Sequence, residues 1–197
     1  STIFDMSNGY DYLNSESYMG FNVTKHVGIQ LGYGKNKIGE GERSLLLSDF
    51  ANNYLYLKFN TRVWKFHYQN IFAELSPITA SDRRGNNLLP KKYMAAHYLN
   101  FNLTKNLTVG IYEAVMFGRN NNFEFQYLNP LIFYTAAEFG AGSRAGNALL
   151  GLSLKYKHKN MALYSQLLID EFRISEVTSS NGWWGNKNGL QIGVKFY

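Results

Sequence analysis

Alternation of apolar and polar residues with a period of two is the feature that most constrains this chain. Between residues 27 and 34 every second residue is large and apolar (VGIQLGYG), and the period recurs in segments 55–60, 64–69, 99–104, 107–112, 150–155, 163–170 and 190–196. Successive side chains of a β-strand point to opposite faces, so each segment predicts a strand with one apolar face. With residues 17–24, about nine strands are predicted.

The predicted strands are joined alternately by short and long connections. Four short basic or Asn-containing turns lie within residues 22–28, 58–64, 102–108 and 155–161, whereas the long segments are 35–53, 76–93, 118–147 and 175–188. Short turns on one side and long loops on the other are typical of outer-membrane barrels. We therefore expect an all-β fold, an antiparallel up-and-down transmembrane β-barrel, in a single domain spanning residues 1–197.

A soluble β-sandwich or a lipocalin-like barrel would show the same period of two. Two features favour the membrane. The face opposite the apolar one is rich in Gly, Asn, Gln, Tyr, Lys and Asp, and the chain contains 15 Tyr and 14 Phe, an excess that suits aromatic girdles. No apolar run reaches the ~18 residues that a membrane-spanning helix needs.

The composition argues against several classes of function. Cysteine is absent, so the chain has no disulfide framework, thiolate metal site or cysteine nucleophile. The net charge of +6 comes from Lys and Arg spread over turns and loops without a nucleic-acid motif, and the four His residues match no common ligand spacing. We expect no cofactor, no metal and no nucleic-acid partner.

Five sequence motifs go beyond the general character of a barrel. They are residues 39–49 (GEGERSLLLSD), 89–93 followed by His97, 110–115, 127–130 followed by Phe133 and Tyr134, and 165–171 (SQLLIDE). In this order they resemble the capsule assembly Wzi family, in particular its RemB-like gliding-motility branch in Bacteroidetes, over residues 15–197. The resemblance implies a non-enzymatic protein of the bacterial outer membrane that attaches or assembles surface polysaccharide, or that supports gliding motility or adhesion.

The resemblance also implies which partners the protein binds and how long the full protein is. The partners would be outer-membrane lipid, surface polysaccharide or lipopolysaccharide, and other components of motility, adhesion or secretion. Members of the family are longer, and in RemB-like proteins further strands follow the stretch that resembles residues 189–197. We therefore expect this chain to be a fragment of a larger barrel.

Candidate residues for glycan contact lie in the long segments. Trp183 and Trp184 are flanked by Asn and Gly, so their rings could stack on sugars while amides bind hydroxyls; a girdle or a loop plug is the alternative. Arg83 and Arg84 match carboxylate or phosphate geometry, although surface solvation is the favoured explanation for them. The motif at residues 127–130 adds Tyr127 and Asn129 as candidates.

Carboxylates of the predicted lumen are the remaining candidates. We expect ion pairs across the barrel interior, for example between Asp170 and Arg144 or Arg173, because charges in such an environment pair; the candidates are Glu113, Glu138, Arg144, Asp170 and Arg173. The alternative is an outer-membrane hydrolase acting on lipid or glycan. It would use a carboxylate pair, or His97 with Ser165 or Asp170.

Overall fold

The computed structural model describes residues 5–6, 9–10, 14–75, 91–117, 147–170 and 187–197. These ranges contain eleven strands: β1 (Asp5–Met6), β2 (Gly9–Tyr10), β3 (Ser17–Asn22), β4 (Val27–Gly34), β5 (Tyr54–Val63), β6 (Phe66–Leu75), β7 (Lys92–Asn102), β8 (Leu107–Phe117), β9 (Asn147–His158), β10 (Met161–Asp170) and β11 (Lys187–Phe196). Within the same ranges, no helix has the length and apolarity needed to cross a membrane.

Strands β3 to β11 form one antiparallel sheet in which every strand pairs with its neighbours in sequence. The predicted nine-strand, up-and-down architecture is confirmed. Strands β1 and β2 make a separate two-stranded ladder that was not predicted, since two residues are too few to display a period.

The strands have the length of a membrane crossing. From β5 to β11 each strand contains 10 to 12 residues. At about 3.3 Å per residue such a strand is roughly 33 Å long, and a tilt of about 40° reduces its span to roughly 25 Å, the height of the apolar band of outer-membrane barrels.

The two faces of the sheet differ sharply. In the register, Leu31, Leu57 and Phe72 share one face, which we call the apolar face, whereas Gln30, Lys58 and Ile71 share the other, the inner face. Large apolar side chains stay exposed on the apolar face: Leu31 by 49%, Leu154 by 49% and Ile192 by 65%. Exposure on this scale on β4, β9 and β11 is unfavourable in water and is what lipid contact requires.

Aromatic rings lie near both ends of the apolar face. At the short-turn end Phe66 stacks on Phe101 with ring centroids 4.5 Å apart, and Trp64 lies 6.1 Å from Phe66. At the long-loop end Tyr93 stacks on Phe117 at 5.7 Å, but both rings are buried in a cluster with Phe72, Ala95 and Val115. Exposed aromatic residues suited to a membrane interface therefore lie at the short-turn end.

Two of the short turns contain only two residues. β5 continues to Val63 and β6 begins at Phe66, so the turn consists of Trp64 and Lys65. The sequence predicted that the second strand begins at Trp64, two residues too early. Trp64 has a φ of 53°, and Lys159 in the corresponding β9–β10 turn has a φ of 48°. Left-handed backbone matches the twist of a tight hairpin, and a bulky residue rarely adopts it, which is why the sequence did not reveal the turn at Trp64.

The other two turns are built alike, around a threonine. Thr24 Oγ1 accepts hydrogen bonds of 3.1 Å from the backbone N–H of both His26 and Val27. Thr104 Oγ1 accepts from Asn106 at 3.2 Å and from Leu107 at 3.0 Å. Each hydroxyl therefore accepts hydrogen bonds from two backbone N–H groups of its turn, at the end of the strand ladder.

Replacing Thr104 by Val should destabilise the folded sheet by about 1 kcal/mol, because the isosteric side chain cannot accept the two N–H groups. Urea unfolding in detergent micelles, followed by tryptophan fluorescence, measures the change. Thr61→Val on the apolar face of β5 is the control and should have little effect. Equal midpoints for Thr104→Val and the unmodified protein would contradict this account of the turn.

Candidate functional site: the covered inner face

Residues 35–53, which connect β4 to β5, lie across the inner face; we call them the covering segment. Ile38 and Leu47 pair across the segment, with N–H···O distances of 3.0 and 3.4 Å. Ile38 and Leu46 are buried in a cluster with side chains of the inner face: Tyr54, Tyr56, Ile71, Ala73, Met94, Ala96, Tyr98, Tyr112 and Ala114. One hydrophobic cluster of the protein thus lies between the wall and a loop, and a second, of Phe72, Tyr93, Ala95, Val115 and Phe117, lies on the apolar face.

Glu40 fixes the covering segment to the far side of the sheet. Its carboxylate lies 2.7 Å from the Nζ of Lys155 in β9 and 3.7 Å from the Nζ of Lys195 in β11. The segment starts at the end of β4, so this ion pair closes a loop over five to seven strands of the wall. Both partners of the shorter contact are largely shielded from water, which strengthens their attraction.

Two glutamines hold the next residues of the segment. Gln166 of β10 is fully buried, and its Oε1 accepts from Leu45 N–H at 3.0 Å and from the Ser44 hydroxyl at 3.3 Å. Gln191 Nε2 of β11 donates to the Arg43 carbonyl at 3.2 Å. These contacts explain why polar side chains alternate along β10 and β11.

Glycines allow the segment to approach the wall this closely. Gly39 has a φ of 107°, and a Cβ there would collide with the side chains of Gln166 and Ser44. A Cβ on Gly151 would lie 2.5 Å from Leu46 Cδ2. The motif at residues 39–49 therefore has a structural meaning that its sequence did not disclose.

The apolar face is interrupted by a row of polar residues. Asn70, His97 and Glu113 are directly opposite one another on β6, β7 and β8, and all three are buried. The Nδ1 of His97 lies 2.8 Å from the Tyr68 hydroxyl and 3.0 Å from the Asn70 amide nitrogen. His97 precedes the alternating segment 99–104 of the sequence, whereas in the structure it lies in the middle of β7, because that strand begins at Lys92.

The predicted lumen carboxylates lie on different faces. Asp170 is on the inner face, opposite Lys187 in the register of β10 and β11. Glu113 is on the apolar face with His97, because it is two residues from Ile111 and residues two apart on a strand point to the same face. Glu113 therefore faces away from the inner face, where an ion pair with Asp170's neighbours would form. Glu138, Arg144 and Arg173 lie outside the described residues, as do the glycan candidates Arg83, Arg84, Tyr127, Asn129, Trp183 and Trp184.

The register also keeps the residues of the hydrolase alternative apart. His97 and Asp170 are on opposite faces of the sheet. Ser165 shares the face of His97 but lies three strands away, and in the register it is level with Phe101, so their separation exceeds roughly 14 Å at the usual strand spacing. These three residues cannot form a hydrogen-bonded triad.

One ion pair marks the long-loop end of β6 and β7. The Nζ of Lys91, just before β7, lies 2.8 Å from Glu74 Oε1. Hydrogen bonding and the negative charge of Glu74 raise the pKa of Lys91. Since Lys91 is exposed to water, the pair positions the loop end more than it stabilises the fold.

An antiparallel sheet with a lipid-suited face, an exposed aromatic row at its short-turn end and a polar face covered by its own loop is the wall of an outer-membrane β-barrel. Comparison with known proteins then gives the family. The family model for the capsule assembly protein Wzi matches residues 8–196, and the chain belongs to this family of outer-membrane proteins. No curated protein matches the chain. No solved structure matches it either.

Replacing Glu40 by Gln should loosen the covering segment, because Lys155 and Lys195 would lose their carboxylate partner. We expect a cost of about 1 kcal/mol and so about a five-fold rise in the opened population. Limited trypsin digestion, with cleavage after Arg43 quantified by mass spectrometry, reports that population. Glu42→Gln changes an exposed neighbour and is the matched control. Identical cleavage rates for the two variants would contradict the anchoring role of Glu40.

Proposed function

We propose that this protein is a non-enzymatic outer-membrane barrel that holds surface polysaccharide on the long-loop side of its wall. Membership of the capsule assembly family supports a role in capsule assembly. The structural observation that most supports the proposal is the position of the covering segment on the inner face. Its contacts with β9, β10 and β11 occupy the inner face, which favours binding at the long-loop side over transport through an open lumen.

Residues of the long connections are the proposed contacts for the polysaccharide. Trp183 and Trp184 would stack on sugar rings, and Arg83 and Arg84 would pair with carboxylate or phosphate groups of polysaccharide or lipopolysaccharide. Tyr127 and Asn129 would add a ring and an amide. Within the lumen, Asp170 would pair with Arg144 or Arg173, and Glu138 would serve as a further acceptor for these guanidinium groups.

Two other roles have less support. A RemB-like function in gliding motility, adhesion or secretion rests on sequence resemblance alone, and no described contact favours it. A hydrolase acting on lipid or glycan is disfavoured by the separation of His97, Ser165 and Asp170 in the register. Attachment or assembly of surface polysaccharide therefore remains the proposal.

Replacing Trp183 and Trp184 together by Ala should release polysaccharide from the cell surface. The loss of two stacked rings, at about 1 kcal/mol or more each, corresponds to a drop of about thirty-fold or more in affinity. The measurement is the ratio of cell-bound to shed capsule in cells that express the variant at normal level.

Trp64→Ala is the matched control, because Trp64 is exposed at the opposite, short-turn end of the wall. It should leave the ratio unchanged. Heat-modifiable migration on gels verifies that both variants are folded barrels. Normal retention by the folded double variant, or equal shedding by the control, would refute contact at the long loops.

A further inference from the structure

A second polar feature of the inner face lies away from the Glu40 contacts. A partly open cavity of about 270 Å³ is lined by residues of β3, β4, the beginning of the covering segment and β5. Its lining includes three lysines, the half-buried Lys58 and the exposed Lys35 and Lys37, against a single carboxylate, the exposed Glu16. The cavity therefore has a net positive charge and the size of a site for a small polar ligand.

Lys58 differs from the other inner-face lysines in its partner. Lys155 and Lys195 each lie within 4.0 Å of the Glu40 carboxylate. The ammonium of the half-buried Lys58 instead donates to the neutral Asn36 Oδ1 at 3.3 Å, and no carboxylate of the described residues lies within salt-bridge distance of it. A shielded ammonium without a counter-charge is costly, so an anion in this cavity would be bound strongly.

Neutral groups around Lys58 match the rest of a sugar. Asn36 is buried, and its Nδ2 has no hydrogen-bond acceptor among the described residues. The Tyr56 hydroxyl accepts from Gln30 Nε2 at 2.8 Å, which leaves its own O–H available to donate. Amides and hydroxyls beside an ammonium are the groups that recognise a hydroxylated ring bearing a carboxylate.

We propose that this cavity binds the carboxylate of an acidic sugar unit of surface polysaccharide, with Lys58 as the anion-binding residue and with Asn36 and Tyr56 as hydrogen-bond donors. The proposal rests on the proposed polysaccharide-binding function and adds the chemical class of the sugar. The binding step itself is non-covalent and leaves the sugar unchanged. The lysine provides the charge, and the neutral groups orient the ring.

The experiment measures the affinity of the full chain, folded in detergent micelles, for three probes by isothermal titration calorimetry. The probes are a tetrasaccharide that contains glucuronate, its carboxyl-reduced neutral form, and inorganic phosphate. We expect the acidic tetrasaccharide to bind best. The neutral form should bind about ten-fold more weakly or not at all, because it lacks the group that Lys58 recognises.

Two variants change the cavity in different ways. Lys58→Met removes the charge and keeps the stem, and Asn36→Asp introduces a carboxylate beside Lys58, as Glu40 does beside Lys155. Both should weaken binding of the acidic tetrasaccharide by about ten-fold or more. Asn36→Asp keeps the Lys58 ammonium and gives it a charged partner, so it provides a test if Lys58→Met fails to fold. Lys65→Met, in the turn at the opposite end of β5, is the matched control and should bind as the unmodified protein does.

Several outcomes would overturn the proposal. They are the same affinity in Asn36→Asp as in the unmodified protein, equal binding of the acidic and carboxyl-reduced probes, or Lys58-dependent binding of phosphate alone, which would identify a phosphate site. The proposed function fails separately. If Trp183 and Trp184 prove dispensable for capsule retention while Lys58-dependent uronate binding persists, the loop contacts are refuted and the cavity proposal holds. If the two tryptophans are required for retention but uronate binding does not depend on Lys58, only the cavity proposal is refuted.

Discussion

Backbone hydrogen bonding in a medium without water is the constraint on which this structure depends. In hydrocarbon, each N–H and C=O group must find its partner within the protein, and antiparallel ladders provide those partners strand by strand. Every pair from β3 to β11 is of this kind. Since the ladder uses the backbone fully, the side chains are left to divide between lipid on one face and the interior on the other.

That division leaves the inner face with little to fill it except the chain's own loop. The covering segment supplies apolar side chains at Ile38 and Leu46, which join a buried cluster that includes Tyr98 and Tyr112 of the wall. Glu40 then meets lysines that would otherwise be shielded from water without a counter-charge. A shielded lysine needs a partner for its positive charge. Lys155 has the Glu40 carboxylate, whereas Lys58 has only the neutral amide of Asn36. The contrast between the two lysines distinguishes a structural ion pair from a ligand site.

The strands were predictable because their signal is local. The period of two in residues 27–34 or 190–196 can be recognised without knowledge of any neighbour, and the turns at Thr24 and Thr104 lie where it breaks. The pair of Glu40 with Lys155 was missed because it joins residues 115 positions apart and depends on where a long loop lies. The row of Asn70, His97 and Glu113 was missed for a related reason. Each residue looks isolated in its own strand, and only the register brings them together.

The central claim is that the apolar face meets lipid where its side chains are exposed, as at Leu152 and Leu154 of β9, while the inner face is covered by residues 35–53. The chain contains no cysteine, so a single spin label can be introduced at successive positions of β9. Collision rates with oxygen, which partitions into lipid, and with a water-soluble nickel chelate are then measured in reconstituted vesicles. We predict high oxygen and low nickel accessibility at Leu152 and Leu154, and low accessibility to both at the intervening Ser153. Nickel access at Leu152 and Leu154, or accessibility that does not alternate, would contradict the account.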